Sequence, residues 1–331
     1  MIVNRSASKL RRSAKTIAAH PQAWEKRLEM LFRLHARLRK PWFNHRCREI
    51  TATPPVVCEP ESPVVFLTQT FHADVVMFLL AAKSLAQHLR PRAFVVVDDG
   101  LTGEDLALLT YHLSNVRFVQ LSEVQLGPCP SGGTWERLLT IMDIVGDSYV
   151  IQLDADTLTL RQPTEVLDAV SKNRSFTIGT DLGQSITSFK ESAAVAERHR
   201  RQDHMVIRAE RAFSRYPGGE QLKYVRGCSG FAGFARGQFK RSDAETFSTN
   251  MADLIGASHW RSWGSEQVTS NFLIANAPDA LVLPLERYAT FEGRSSIVND
   301  AAFVHFLGTY RFKRGLYGRL ARRLIRRLKK A

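Results

Sequence analysis

The stretch that decides the fold is YVIQLDADTL, residues 149–158. Tyr149 to Leu153 reads as a buried strand, and it runs straight into two aspartates separated by one alanine. Two readings fit. Asp is a favoured turn residue, so the strand could simply end in a polar turn. Alternatively, residues i and i+2 of an extended segment point the same way, so Asp154 and Asp156 would offer both carboxylates to one hard cation at a strand's C-terminal end.

Upstream, strand and helix patterns alternate. VVFLTQTF (64–71) is a short apolar strand, a helical run extends from about Asp74 to His88, and AFVVVDDG (93–100) is the next strand. A helix from about Gly103 to His112 leads to VRFVQL (116–121), and TWERLLTIMDIVG (134–146) is a helix feeding the opening strand. This alternation predicts an α/β fold with a mainly parallel, Rossmann-like sheet and helices on both faces. Ligands of such sheets bind beyond the carboxyl ends of the strands, where Gln69, Thr70, Asp98, Asp99, Asp154 and Asp156 would gather. Downstream, SFTIGTDLG (175–183) suggests another strand and loop, and the charged residues 185–225 an insertion covering one side. GCSGFAGFA (227–235), WGSEQVTSNFLIAN (263–276) and FVHFLGTYRFK (303–313) follow.

The 331 residues, 44% hydrophobic, can build a large core. The net charge of +14 sits at the two ends: residues 1–50 carry 13 Lys and Arg against 3 acids, residues 311–331 carry 10 against none, and the middle is left at −6. An acidic centre without a zinc finger, RNP-like motif or recognition helix argues against nucleic acid as a partner.

In RGLYGRLARRLIRRLKKA (314–331), Leu316, Leu320, Leu324 and Leu328 recur every four residues beside Tyr317 and Ile325, with arginines filling the other face. That pattern suits a helix on an anionic membrane surface, or one packed on its own domain with a solvated basic face. A weaker stripe, Trp24, Leu28, Leu31, Leu34 and Leu38, lies near the N-terminus. No apolar run reaches the roughly 18 to 20 residues that span a bilayer, and no signal peptide is evident. The expected location is cytoplasmic, peripheral on the inner face of a membrane. Cys47, Cys58, Cys129 and Cys228 are scattered, so neither a disulfide framework nor structural zinc is expected. The implied divisions are a basic helical N-terminal region (1–50), a Pro-rich linker (51–63), the main domain (64–315) and a basic amphipathic C-terminal helix (316–331).

Acidic strand ends beside basic segments suggest a diphosphate ligand bridged to protein by a divalent ion. His305, after a strand-like AAFV, is the candidate third ligand, and an imidazole among carboxylates favours Mn2+ over Mg2+; the alternative is a satisfied core histidine. Gly308, Arg311 and Lys313 make a plausible phosphate clamp.

Taken in order, AAKSL, VVVDDG, TWERLL, QLDADTL, IGTDLG, CSGFAGF, SEQVTSN and HFLGTYRFK resemble the family 8 glycosyltransferases of GT-A fold, the nucleotide-diphospho-sugar transferase fold, and among them the bacterial lipopolysaccharide galactosyl- and glucosyltransferases. The resemblance spans roughly residues 63–315. It implies that Asp154, Asp156 and His305 bind Mn2+, that Arg311 contacts the donor diphosphate, and that Asp98 lies near the nucleotide. It places Arg137 and Asp181 close to donor sugar and acceptor, and Glu266 and Gln267, with Asn271, beside the transferred sugar. The implied activity is transfer of a hexose from a UDP-sugar to a cell-envelope glycan or glycolipid, with retention of configuration. An inverting GT-A enzyme, with Asp181 or Glu266 as base, and a silent membrane-bound scaffold of the same fold are the alternatives. The sequence also departs from the family. Gln69 and Thr70 replace acidic residues, Cys228 stands where Asn is common, Glu266 replaces Asp, and the Pro-Trp after the clamp cation is missing.

Overall fold

The computed structural model describes residues 39–181, 183–199, 204–293 and 298–330. The stripe from Trp24 to Leu38 lies outside the described residues. Helix α1 covers residues 39–47. Then β1 (Val64–Thr70), α2 (Val75–Ala86), β2 (Ala93–Asp98), α3 (Gly103–His112), β3 (Val116–Gln120), α4 (Trp135–Ile144) and β4 (Tyr149–Leu153) follow the alternation read from sequence. Helix α3 begins where a capping box allows it: Thr102 Oγ1 accepts from the Asp105 amide at 3.2 Å, and the Asp105 carboxylate accepts from the Thr102 amide at 2.8 Å.

Strands β5 (Thr157–Thr159) and β6 (Phe176–Ile178) flank α5 (Thr164–Ser171). The insertion is framed by the antiparallel pair β7 (Thr187–Ser188) and β8 (Lys223–Tyr224), with α6 (Phe189–Arg198) and α7 (Met205–Ala212) between them. The chain continues through β9 (Cys228–Phe234), α8 (Arg241–Ile255), α9 (Ala257–Trp260), α10 (Ser265–Asn276), β10 (Leu281–Leu283), β11 (Tyr288–Thr290), β12 (Phe303–His305) and α11 (Leu316–Leu328).

Seven strands form the main sheet in the order β10-β6-β9-β4-β1-β2-β3, and β9 alone runs against the others. Both faces of its central strands are apolar because both are covered. Val64, Phe66, Phe94 and Ile151 pack under α2, whereas Val65, Leu67, Val95 and Val150 pack under α4, α8 and α10. The sheet is the mainly parallel, two-faced one that the GT-A resemblance implies. Strands β1, β2 and β3 succeed one another in one direction, and β4 returns to the other side of β1, so the topological switch point, where such sheets bind ligands, falls at the carboxyl ends of β1 and β4.

Residues 51–63, expected to be a linker, run fixed against this body. Val56 bridges to Leu113, Cys58 N donates to Ser114 Oγ at 2.7 Å and Glu59 N to Pro91 O at 2.9 Å. Buried Lys83 on α2 reaches Thr53 Oγ1 at 2.9 Å, Pro54 O at 2.6 Å and His112 Nδ1 at 3.0 Å. Burial pushes this lysine down to about 8.

For the C-terminal helix the structure decides where the apolar stripe goes. Its apolar stripe, Leu316, Tyr317, Ala321, Leu324, Ile325 and Leu328, is buried in the chain's own core. The Tyr317 ring stacks on Phe306 at 4.3 Å and on Phe43 of α1 at 4.4 Å. That stripe is therefore not available to enter a bilayer, and only the basic side, with Arg319, Arg323, Arg326 and Arg327, faces outward. Among the described residues no helix is long and apolar enough to cross a membrane.

Truncating Ile325 to Ala should accordingly cost about 2–4 kcal/mol in urea unfolding, while Arg326→Ala should stay within about 0.5 kcal/mol. Equal effects would mean the stripe is not core.

Candidate functional site

Strand β4 stops at Leu153 and the chain turns through Asp154-Ala155-Asp156 into β5. The turn is pinned from two sides: Asp154 N donates to Gly230 O of β9 at 2.9 Å, and Thr157 Oγ1 to Asp154 O at 2.8 Å. Antiparallel pairing of β5 with β12 then sets Thr157 opposite His305, and Phe306 N donates to Asp156 O at 2.8 Å. A histidine distant in sequence is delivered to the aspartates by this register.

The segment is thus a turn and a convergence of ligands at once. One ligand atom each from Asp154, Asp156 and His305 lie within 4.8 Å of one another. His305 Nε2 is 3.3 Å from Asp156 Oδ1 and 3.8 Å from Asp154 Oδ2. Two hard oxygens and one imidazole nitrogen fit Mn2+, and Mg2+ less closely.

The outer oxygens of the same carboxylates belong to arginines. Arg137 on α4 pairs with Asp154 Oδ1 and, at 3.2 Å, with Glu266 Oε1. Arg311 Nη2 lies 2.6 Å from Asp156 Oδ2. Each aspartate therefore shows one oxygen to the common point and gives the other to a guanidinium, which fixes its rotation. Burial raises the Asp156 carboxyl, but Arg311 and His305 outweigh it and hold the pKa below the usual value. Burial disfavours charge on His305, yet Cys228 and Asp156 on its two ring nitrogens raise it well above its ordinary value. Burial also raises the Glu266 carboxyl, against the pull of Arg137 and Thr134.

Glu266 is held from a strained loop. Thr134, the residue before α4, has φ 72°, a left-handed conformation that a β-branched side chain rarely takes and that costs about 1–3 kcal/mol. Its hydroxyl donates to Glu266 Oε2 at 3.0 Å, and Trp135 Nε1 donates to Ser265 Oγ at 2.9 Å, so the starts of α4 and α10 are locked together. Thr134 has no signal of its own in the sequence; the paired glycines of SGGT just ahead of a helix are what mark the position.

The remaining expected residues divide. Gln267 is half-buried, with Ser229 Oγ 3.5 Å from its Oε1. Asn271 is structural: it donates to Gly227 O at 2.9 Å and accepts from Thr177 Oγ1 at 3.2 Å. Thr70 ends β1 with a buried hydroxyl that has no partner among the described residues. Asp98 accepts from the amides of Gly100 at 3.0 Å and Leu101 at 2.7 Å, and from Gln120 Nε2 at 2.9 Å, so its carboxylate shapes its own loop. Asp181 is exposed on the turn after β6 and, among the described residues, lies outside the ion-pair network. Gly308 opens a 3₁₀ turn with φ 41°, Arg311 follows it, and Lys313 is exposed, crossing Gly293 so closely that a Cβ there would lie 2.5 Å from its Cδ.

Helix α1 braces this clamp, which the sequence did not reveal. Arg39 Nη1 donates to Phe312 O at 3.1 Å, the Phe43 and Phe312 rings are 5.3 Å apart, and Lys40 pairs with Asp74. Burial raises the Asp74 carboxyl, and both Arg311 and Asp156 lie near enough to act on it.

No family model and no curated protein sequence matches this chain. Among solved structures it is similar to the galactosyltransferase LgtC in complex with donor and acceptor sugar analogues, at 13% identity and a TM-score of 0.49, over 81% of this chain and 97% of that one. It is similar to the apo bifunctional glycosyltransferase WbbM at 12% identity and TM-score 0.44, over 75% of this chain and 46% of that one. Mouse xyloside xylosyltransferase 1 in its apo form matches at 13% identity and TM-score 0.40, over 75% of this chain and 98% of that one.

Replacing Arg137 by Met should leave Glu266 and Asp154 facing each other without a counter-ion, at a cost of about 3–5 kcal/mol in urea unfolding. Glu266→Gln should cost clearly less, because Asp154 still partners the arginine. The reverse ranking would place the buried charge that matters elsewhere.

Proposed function

We propose that this chain is a metal-dependent glycosyltransferase that moves a hexose from a nucleotide diphosphate sugar, a UDP-hexose, to a cell-envelope glycan or glycolipid acceptor with retention of configuration. The observation that carries the reading is the convergence of Asp154, Asp156 and His305 at the carboxyl end of β4, with Arg311 on one side and the Arg137–Glu266 pair on the other.

Asp154, Asp156 and His305 would hold Mn2+ or Mg2+, which when bound supplies Lewis-acid stabilisation of charge on the leaving diphosphate. Arg311 and Lys313 bind the diphosphate oxygens, and their attraction grows as the bond from the sugar's C1 breaks and negative charge collects there. Thr70 and the loop shaped by Asp98 receive the nucleoside. Glu266 and Gln267 orient the sugar, with Asp181 on the acceptor side. The acceptor hydroxyl attacks C1 on the face the diphosphate leaves, and its proton passes to a diphosphate oxygen.

The membrane contact is electrostatic. Arg319, Arg323, Arg326 and Arg327 on α11 are exposed, as are Arg46 in the last turn of α1 and Arg48 just after it, and the Arg46 guanidinium lies 4.8 Å from the centre of the exposed Trp42 ring. Basic side chains around an interfacial tryptophan suit anionic headgroups on the cytoplasmic face. Arg323→Glu with Arg326→Glu should release the protein from anionic vesicles in a sedimentation assay; unchanged sedimentation would remove this surface from the reading.

Calorimetric titration with UDP, with and without Mn2+, tests the donor. Binding should need the ion and should fall by at least about tenfold in an Asp154→Asn, Asp156→Asn double variant, in line with loss of metal ligands. Metal-independent binding unchanged in that variant would overturn the reading.

A further inference from the structure

Strand β9 is the single antiparallel member of the main sheet, and two of its alternate residues, Cys228 and Gly230, contact the candidate metal-binding histidine. Cys228 Sγ lies 3.2 Å from His305 Nδ1. A Cβ built on Gly230 would lie 2.4 Å from His305 Cε1 and 2.6 Å from Nδ1. Gly230 does not have a positive φ, so what this position requires is room for the ring, not unusual backbone freedom. The Gly230 carbonyl also accepts the Asp154 amide, so one residue touches two members of the cluster.

We propose that Cys228 and Gly230 form the seat that sets the orientation of the His305 ring, with Cys228 a positioning residue for metal binding. The inference rests on the metal reading given above. The imidazole torsion is broad and roughly two-fold, so a histidine without a partner on its second nitrogen can present either edge. Here the Cε1 side of the ring lies against a residue with no side chain, and its Nδ1 meets a sulfur 8% exposed. With a cation held between Nε2 and the two aspartates, Nε2 would have given up its proton, and Nδ1 would keep its hydrogen and donate it to Sγ, a weak but polarisable acceptor. A metal-ligating histidine ordinarily gives its second N–H to an oxygen, and losing that partner costs about 10–100-fold in metal affinity. This chain assigns the task to a thiol. Serine keeps an acceptor at the position; valine fills similar space and offers none.

Mn2+ binding followed by electron paramagnetic resonance on the purified full chain tests this without any sugar donor. Cys228→Val should bind Mn2+ at least about tenfold more weakly than the parent, and Cys228→Ser should stay within about threefold of it. Gly230→Ala should also weaken binding although the sulfur is intact, because the added methyl meets the ring. Circular dichroism and the urea midpoint identify any variant that fails to fold, and the Cys228→Ser comparison then carries the test: a tenfold loss with serine would overturn the acceptor role. Valine binding as tightly as the parent would overturn the seat while leaving the metal site standing. A parent chain that binds no Mn2+ would overturn both the seat and the metal reading.

Discussion

Carboxylates gathered where a strand ends must be neutralised, and the rest of the site is built around that requirement. Asp154, Asp156 and Glu266 sit in surroundings that shed most of their water, where an unpaired carboxylate is costly. Arg137 answers two of them from the first turn of α4, and Arg311 answers the third from the segment after β12. The left-handed Thr134 follows from the same demand, since that conformation brings its hydroxyl to Glu266. So does the bracing of the clamp by α1: Arg39 and Phe43 fix Phe312, and with it the neighbouring arginine. A substitution far from the turn can therefore act on it through a guanidinium.

Much of the architecture was legible because it is local. Runs such as VVFLTQT and AFVVVD are apolar on both sides of the pleat, which marks central parallel strands, and intervening helices of ordinary length forced the crossovers. The acidic turn was legible as two alternatives, and the structure contains both, a turn whose side chains converge. The His305 contact was another matter. Strands β5 and β12 are three residues each, so the sequence could offer His305 as a candidate after the strand-like AAFV but could not show the pairing that delivers it. Asp98 shows the opposite case, an acid at the right strand end whose Oδ1 is taken by the amides of its own loop and whose Oδ2 is taken by Gln120.

Amphipathicity was the least decisive signal. The four-residue leucine spacing of α11 specified an apolar neighbour without saying which, because a bilayer and a protein core offer a helix face the same solvent. Tyr317 turned out to stack between Phe306 and Phe43, so the neighbour is the domain itself. The basic character survives on the opposite side, separated by the helix from the residues it helps to hold.

The register that places His305 opposite Thr157 has a consequence for how the molecule is made. Its two partners are far apart along the chain, so their pairing requires a long loop to close, a slow step compared with forming the local strand and helix units. The aspartates, Arg137 and Glu266 all lie in segments that precede β12. During synthesis they emerge ahead of the imidazole and the clamp arginine. A half-made chain thus carries the acidic half of the cluster and cannot complete the site until β12 has been added.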